Sequence, residues 1–218
     1  MRRGVRTLGT LMIAGGIALL AWAFVVWRWE DPFTGAVTWY EQRRLADAYE
    51  ERVREPDARR LAAVRPSELP GAARRYRLEL GRGDVVGKLR VPRIGLEAYV
   101  VNGTDHDTLK KGPGRYPFSF MPGERRLVYI AGHRTTYGAP FSRIDRLAAG
   151  DRIALEVPYA TFEYRVTRHR IVASTATEVL RSERREELVL QACHPRFFAS
   201  ERYLVYAVPV RILQPSER

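Results

Sequence analysis

Apolar and polar positions along this chain fall into three textures. From Thr7 to Trp27 it reads TLGTLMIAGGIALLAWAFVVW, 21 residues without a charge, enough as a helix to cross a hydrocarbon core of about 30 Å. From Thr38 to Arg60 the composition turns to helix formers of mixed charge. Leu45, Ala48, Tyr49 and Val53 recur there at roughly helical spacing, and Pro56 is a breaker. This predicts a helix to about Arg54 that is either a solvated stalk or a helix docked on a partner or on the chain itself. Pro66, Pro70 and Gly71 then mark a linker, made basic by Arg74, Arg75 and Arg77.

From Asp84 onward the runs become short, β-branched and alternating, with turn residues between them. Strands are predicted at Val85–Val91, Glu97–Val101, Leu127–Gly132, Arg152–Val157, Thr161–Val172, Glu187–Ala192 and Tyr203–Ile212, with turns at Gly150-Asp151 and Pro158-Tyr159. Asp107–Lys110 and Pro140–Leu147 each suit a short helix or helical turn. So many short strands in so short a stretch suggest a closed or nearly closed, mainly β barrel.

The flanking charges orient the apolar run. Arg2, Arg3 and Arg6 precede it, and Glu30 and Asp31 follow Arg28. The positive-inside rule puts the N-terminus in the cytoplasm and the rest outside a cell membrane, as a single-pass protein touching membrane lipid. Trp22, Trp27 and Trp29 gather at the outer end, where an aromatic belt would sit. A cleaved signal peptide is the alternative, since Ala21-Trp22-Ala23 fits the A-x-A pattern, but the apolar run continues past it.

Composition adds less. The net charge is +12 and the pI near 10.3, yet all but three of the 37 basic residues are arginines, a bias that genome base composition also produces. A basic domain outside a membrane suits anionic lipid or wall polymers better than nucleic acid, which is not expected as a partner. A single cysteine, Cys193, excludes internal disulfides and a Cys-rich zinc module. Asp105, His106 and Asp107 are consecutive rather than convergent, so no metal is expected, and no cofactor.

That cysteine ends the run Leu188-Val189-Leu190-Gln191-Ala192. His133 ends another strand, and Arg202 opens the last. Three reactive side chains at strand ends can meet at one rim of a barrel as nucleophile, proton-transfer partner and anion stabiliser. Taken singly, each is more often structural: a small buried thiol, a hydrogen-bonded imidazole, a surface charge.

The wording around them resembles the sortases, most closely class E. Ala131-Gly132-His133-Arg134-Thr135-Thr136-Tyr137-Gly138-Ala139-Pro140-Phe141, followed by Ile144-Asp145-Arg146-Leu147, is similar to their histidine region. Leu190-Gln191-Ala192-Cys193-His194-Pro195 with Ser200, Arg202 and Tyr203 is similar to their cysteine-to-arginine region. Gly87–Leu96 resembles the entry into their barrel, and Gly112–Pro117 with Met121-Pro122-Gly123 the approach to the histidine strand.

The resemblance implies a sortase-like closed β-barrel of about eight strands with short helices. Residues 1–29 would be the anchor, 30–83 an extracytoplasmic stalk or linker, 84–213 the catalytic domain and 214–218 a tail. It implies a cysteine transpeptidase with Cys193 as nucleophile, His133 as general acid and base, and Arg202 steadying the tetrahedral intermediate or the substrate backbone. Partners would be surface proteins carrying an LPxTG- or LAxTG-like sorting signal, and an amine acceptor of the cell wall or a pilin.

Ala192, Thr135, Tyr137 and His194 are candidate substrate-binding residues. His194, adjacent to Cys193 on a strand, should face the other way. Ser174–Glu186 matches the family's substrate-covering loop. One departure stands out: the family's T-L-x-T-C stretch here reads Val189-Leu190-Gln191-Ala192-Cys193, with both threonines replaced. Papain-like peptidases place Cys before His, and L,D-transpeptidases carry S-H-G-C; neither pattern fits. A membrane-anchored binding module with a degenerate site, or a pilin-polymerising sortase, remains the alternative.

Overall fold

A computed structural model describes residues 2–29 and 32–214. Glu30, Asp31 and all of the polar tail after Gln214 lie outside the described residues. Helices α1 (Arg2–Trp29), α2 (Pro32–Arg54), α3 (Pro56–Ala62) and α4 (Leu69–Glu79) precede the strands, and α5 (His106–Leu109) lies among them. The strands are β1 (Val85–Val91), β2 (Leu96–Asn102), β3 (Gly114–Arg115), β4 (Leu127–Ala131), β5 (Arg152–Val157), β6 (Ala160–Ala173), β7 (Glu187–His194) and β8 (Glu201–Leu213). They close into a barrel in the order β1-β2-β3-β4-β7-β8-β6-β5.

Each of the seven predicted strands is present, two with the predicted bounds (Val85–Val91 and Arg152–Val157) and five extended or trimmed by a residue or two at an end. The eighth, β3, is two residues long and too short to show any alternation. It pairs in parallel with β2 and antiparallel with β4, joining the two halves of the barrel. Alternation along the strands fills the interior: Leu89 and Val91, Ile153 and Leu155, Phe162 and Tyr164, and Leu188 and Leu190 all lie in one buried cluster.

Two features of the region before Asp84 differ from a stalk and linker. The linker expected at Pro66–Gly71 is instead a short 3-10 turn, Pro66–Glu68, that runs into the start of α4. Proline is tolerated in the first turn of a helix, where its missing N–H has no partner to lose. Leu69, Ala72, Ala73 and Tyr76 follow the i, i+3, i+4, i+7 spacing and are buried in the barrel's own core. The Tyr76 hydroxyl donates to the carbonyls of Val85 and Val86, at 3.1 and 3.0 Å.

Helix α2, for its part, is docked. Leu45 and Tyr49 are buried against Val85 and Val101. Gln42 acts as a two-way clamp: its amide N–H₂ donates to Tyr99 O and Lys111 O (3.0 and 2.8 Å), and its oxygen accepts from Tyr99 N (2.7 Å). Gly112, at φ +154°, permits this approach, since a Cβ there would lie 2.2 Å from the Gln42 nitrogen. Of the two readings of the 38–54 helix, self-docking is the one realised.

Helix α1 contrasts with both. It holds one stretch, Arg3–Val25, long and apolar enough to cross a membrane, and none of it is buried.

Candidate active site

Strand register brings the three chemically reactive residues together. β4 and β7 run parallel, with Ala131 opposite Gln191. Gly132 N donates to Gln191 O at 3.0 Å, carrying the ladder one residue further. His133 and Cys193 each lie two residues beyond that matched pair, so they emerge at the same level on neighbouring strands. β7 and β8 are antiparallel, and Cys193 is paired directly with Arg202. Adjacent strands are about 4.8 Å apart. Cys193 therefore stands between an imidazole and a guanidinium, and all three line one cavity of about 330 Å³.

The cavity is on the outer face of the barrel, not across the open rim that the strand ends suggested. Along β7, Leu188, Leu190 and Ala192 point into the core, and Val189, Gln191 and Cys193 point out. The floor is aromatic. Tyr116 and Tyr129 line it, and the Tyr129 hydroxyl donates to Gln191 Oε1 at 2.6 Å. The 174–186 loop covers it: Leu180 reaches the cavity, and Val179 and Leu180 pack on Val189, Leu204 and Tyr206. The loop's far end is fixed by Glu186, which accepts from Tyr164 OH and Gly123 N at 2.7 and 2.9 Å.

His133 sits on a built platform. The Phe141 ring packs so close to Gly132 that a Cβ there would lie 2.6 Å from it. Phe141 N also donates to His133 O at 3.0 Å. The Tyr137 ring lies 5.1 Å from the imidazole. Burial, helped by the nearby His106 charge, lowers the His133 pKa below its ordinary 6.5, so the ring is neutral at neutral pH. Its Nε2 is buried and makes no hydrogen bond within the described residues. His133 also lines the cavity, and a neutral imidazole there is a competent proton acceptor. Cys193 is half-buried. Arg202 is steadied by its own backbone, with Nη1 donating to Ala199 O and Glu201 O at 2.8 and 2.9 Å.

The four candidate substrate-binding residues separate. Tyr137 packs on His133, and Thr135 is half-buried. The Ala192 side chain is wholly buried in the barrel core, leaving only its backbone to face a ligand. His194 does point away from Cys193, as strand alternation requires. Its Nδ1 meets Arg134 Nη1 at 2.9 Å and its ring tilts over Tyr203.

Both replaced threonines now have a local explanation. Val189 lies in an apolar cluster with Leu127, Tyr129, Val172 and Leu204, and Ala192 lies in the core; a hydroxyl at either place would need a partner.

Arg134 was not singled out by sequence. It is almost wholly buried, pairs with Asp145 at 3.1 Å, and donates from Nη1 to the Cys193 carbonyl at 3.3 Å. Its position right after His133 was the only available signal, since a charged residue at a strand end is ordinarily taken as exposed. Asp105, first of the consecutive Asp105-His106-Asp107, caps α5 through Thr108 N and pairs with Arg82.

With barrel, groove and residue trio in place, comparison with known proteins is informative. The sortase domain model matches residues 89–210. The chain is 33% identical to the sortase D of Bacillus subtilis strain 168, over 67% of this chain and 78% of that protein. Among solved structures, the sortase E of Streptomyces avermitilis is 29% identical, with a TM-score of 0.54 over 61% of this chain and 91% of that one. A Clostridium perfringens sortase D5 transpeptidase shares the fold, with a TM-score of 0.66 at 21% identity, covering 79% and 99% of the two chains. The chain belongs to the sortase family. Sortases are cysteine transpeptidases that anchor or polymerise surface proteins.

Proposed function

We propose that this sortase is held in the cell membrane by α1, with its N-terminus cytoplasmic and its barrel outside. It cleaves an LPxTG- or LAxTG-like sorting signal and joins the new carboxyl end to an amine of the cell wall or of a pilin. The observation that carries the reading is the register that lines up His133, Cys193 and Arg202 on three neighbouring strands at one cavity.

The steps follow from that order. Cys193 Sγ attacks the carbonyl carbon of the signal's threonine as its proton passes to His133 Nε2, which is neutral and unpartnered among the described residues. Negative charge gathers on the carbonyl oxygen, and the Arg202 guanidinium, held by two backbone carbonyls, offsets it. The C–N bond breaks, His133 returns the proton to the leaving amine, and a thioester to Cys193 remains. An incoming amine attacks the thioester and gives its proton to His133. The C–S bond then breaks, and the sulfur regains a proton from the imidazole. Closure by the 174–186 loop limits hydrolysis of the thioester.

The test is incubation of the full chain with a panel of signal pentapeptides and an amine, followed by intact-protein mass spectrometry. A thioacyl adduct on Cys193 and an amide product are expected. Cleavage retained by Cys193→Ala, or no adduct with any peptide, overturns the proposal.

A further inference from the structure

We propose that the mouth of this groove rests on the membrane surface, with Phe197 and Phe198 of the β7–β8 loop seated at the boundary of headgroups and acyl chains. The proposal rests on the reading of α1 as an anchor.

The first observation is the tether. α1 ends at Trp29, and Thr34, near the start of α2, accepts a hydrogen bond from Tyr137 N at 2.8 Å. Tyr137 is the residue whose ring lies 5.1 Å from His133. One turn on, Thr38 Oγ1 donates to Lys110 O at 2.9 Å. The start of α2 is thus fastened to the groove, not to the barrel's far end. Five residue steps separate Trp29 from Thr34, a reach of no more than about 18 Å even fully extended. If α1 spans the bilayer, the groove cannot stand far from its surface.

The second observation is what the groove presents there. Phe198 is 82% exposed, Phe197 53% and Phe118 82%. Phe118 packs on Tyr116 of the cavity floor, and the 195–200 loop is pinned to the site by the bond from Arg202 to Ala199 O. Phe197 and Ala199 hold φ of +72° and +54°, a left-handed backbone that bulky side chains avoid. A strained loop that holds two phenyl rings out in water has no explanation within the domain. Arg196 lies over the Phe197 ring at 5.9 Å, and among the described residues no carboxylate pairs with it. Apolar rings beside an unpaired guanidinium suit an interface with anionic headgroups.

The occupant is a lipid surface, because the chain itself delivers one to this face. In that posture the groove takes substrates and amine acceptors that are themselves held at the membrane.

Cys193 is the chain's single cysteine, so full-length Cys193→Ala accepts one new thiol. Phe198→Cys, Phe118→Cys and Val210→Cys versions, each carrying an environment-sensitive fluorophore, go into phosphatidylglycerol–phosphatidylcholine vesicles containing nitroxide lipid. Val210 is exposed and lies eight residues along β8 from Arg202, about 27 Å away. Labels at 198 and 118 should shift to the blue and lose emission, and the label at 210 should do neither. Unquenched labels at 198 and 118 on a chain that resists carbonate extraction overturn the docking alone. So does equal quenching at 210, or a response at 198 only when a signal peptide is added. A chain that carbonate removes overturns the anchor and the docking together. Peptide cleavage by the parent chain is scored separately, so failure of the enzymatic reading leaves this result standing.

Discussion

Strand β7 carries two faces built to opposite rules. Leu188, Leu190 and Ala192 are wholly buried in the barrel's core. Val189, Gln191 and Cys193, one residue out of phase, face a groove under a loop, where Gln191 bonds to Tyr129 and Cys193 is half-exposed. One backbone thus serves both. The inner face fixes the height and tilt of the strand, and the outer face uses that fixed height to hold a thiol level with an imidazole and a guanidinium. A close-packed interior resists small displacements, which is what a site on the reverse of the same strand requires.

Substitutions on the two faces should therefore separate activity from stability. Cys193→Ala is expected to lower kcat/KM by at least about 10³-fold, with the unfolding midpoint in denaturant almost unmoved. Leu190→Ala, one face over, should cost about 2–5 kcal/mol of unfolding free energy and leave turnover within a few-fold at temperatures where the chain stays folded. If Leu190→Ala abolishes turnover while folded, or Cys193→Ala unfolds the barrel, the division of labour is wrong.

Arg134 lies where the two faces meet. It reaches from the bend after β4 to the carbonyl of Cys193 and to His194, and Asp145 offsets its charge. It touches neither thiol nor imidazole and acts as a positioning residue. Arg134→Met leaves Asp145 without this partner and frees the end of β7. Misplacement by about 1 Å costs roughly 10²-fold in rate, so kcat should fall by that order with KM little changed. Arg134→Lys, which keeps the charge but cannot bridge both acceptors, should recover only part of it. Equal loss through KM would mean that Arg134 contacts substrate.

The sequence showed the inner face better than the outer. Period-two alternation made seven strands readable, because burial of one face leaves a regular mark. β3 left none, being two residues long, and α4 was obscured by Pro70 and Gly71, which read as a linker although a first helical turn accepts both. Cys193, His133 and Arg202 became candidates only through their neighbouring words, since each residue alone has a commoner structural use. The register that sets them side by side depends on a parallel pairing between strands some 60 residues apart, which no local pattern encodes. The docking of α2 was half legible: Leu45 and Tyr49 recur at helical spacing and are buried, but the bonds made by Gln42, Thr34 and Thr38 come from polar residues that read as solvated.

The smallest effect tests how the outer face tunes its base. The His133 pKa is lowered first by burial and then by the His106 charge. In the proposed mechanism the neutral form accepts the thiol proton, so kcat/KM should fall as pH drops through the His133 pKa, on a limb whose midpoint lies below 6.5. Stability follows the same sign. Above pH 6.5 the ring is neutral in both folded and unfolded chains and contributes no pH dependence. Below it the unfolded chain takes the proton first, so the fold weakens as pH falls towards the depressed value. His106→Gln removes the neighbouring positive charge but leaves the burial. The acid limb should then move up in pH, with the plateau rate unchanged. A limb that stays put would assign the depression to burial alone. A limb that moves down would show His106 favouring the charged ring and would reverse the electrostatics argued for this groove.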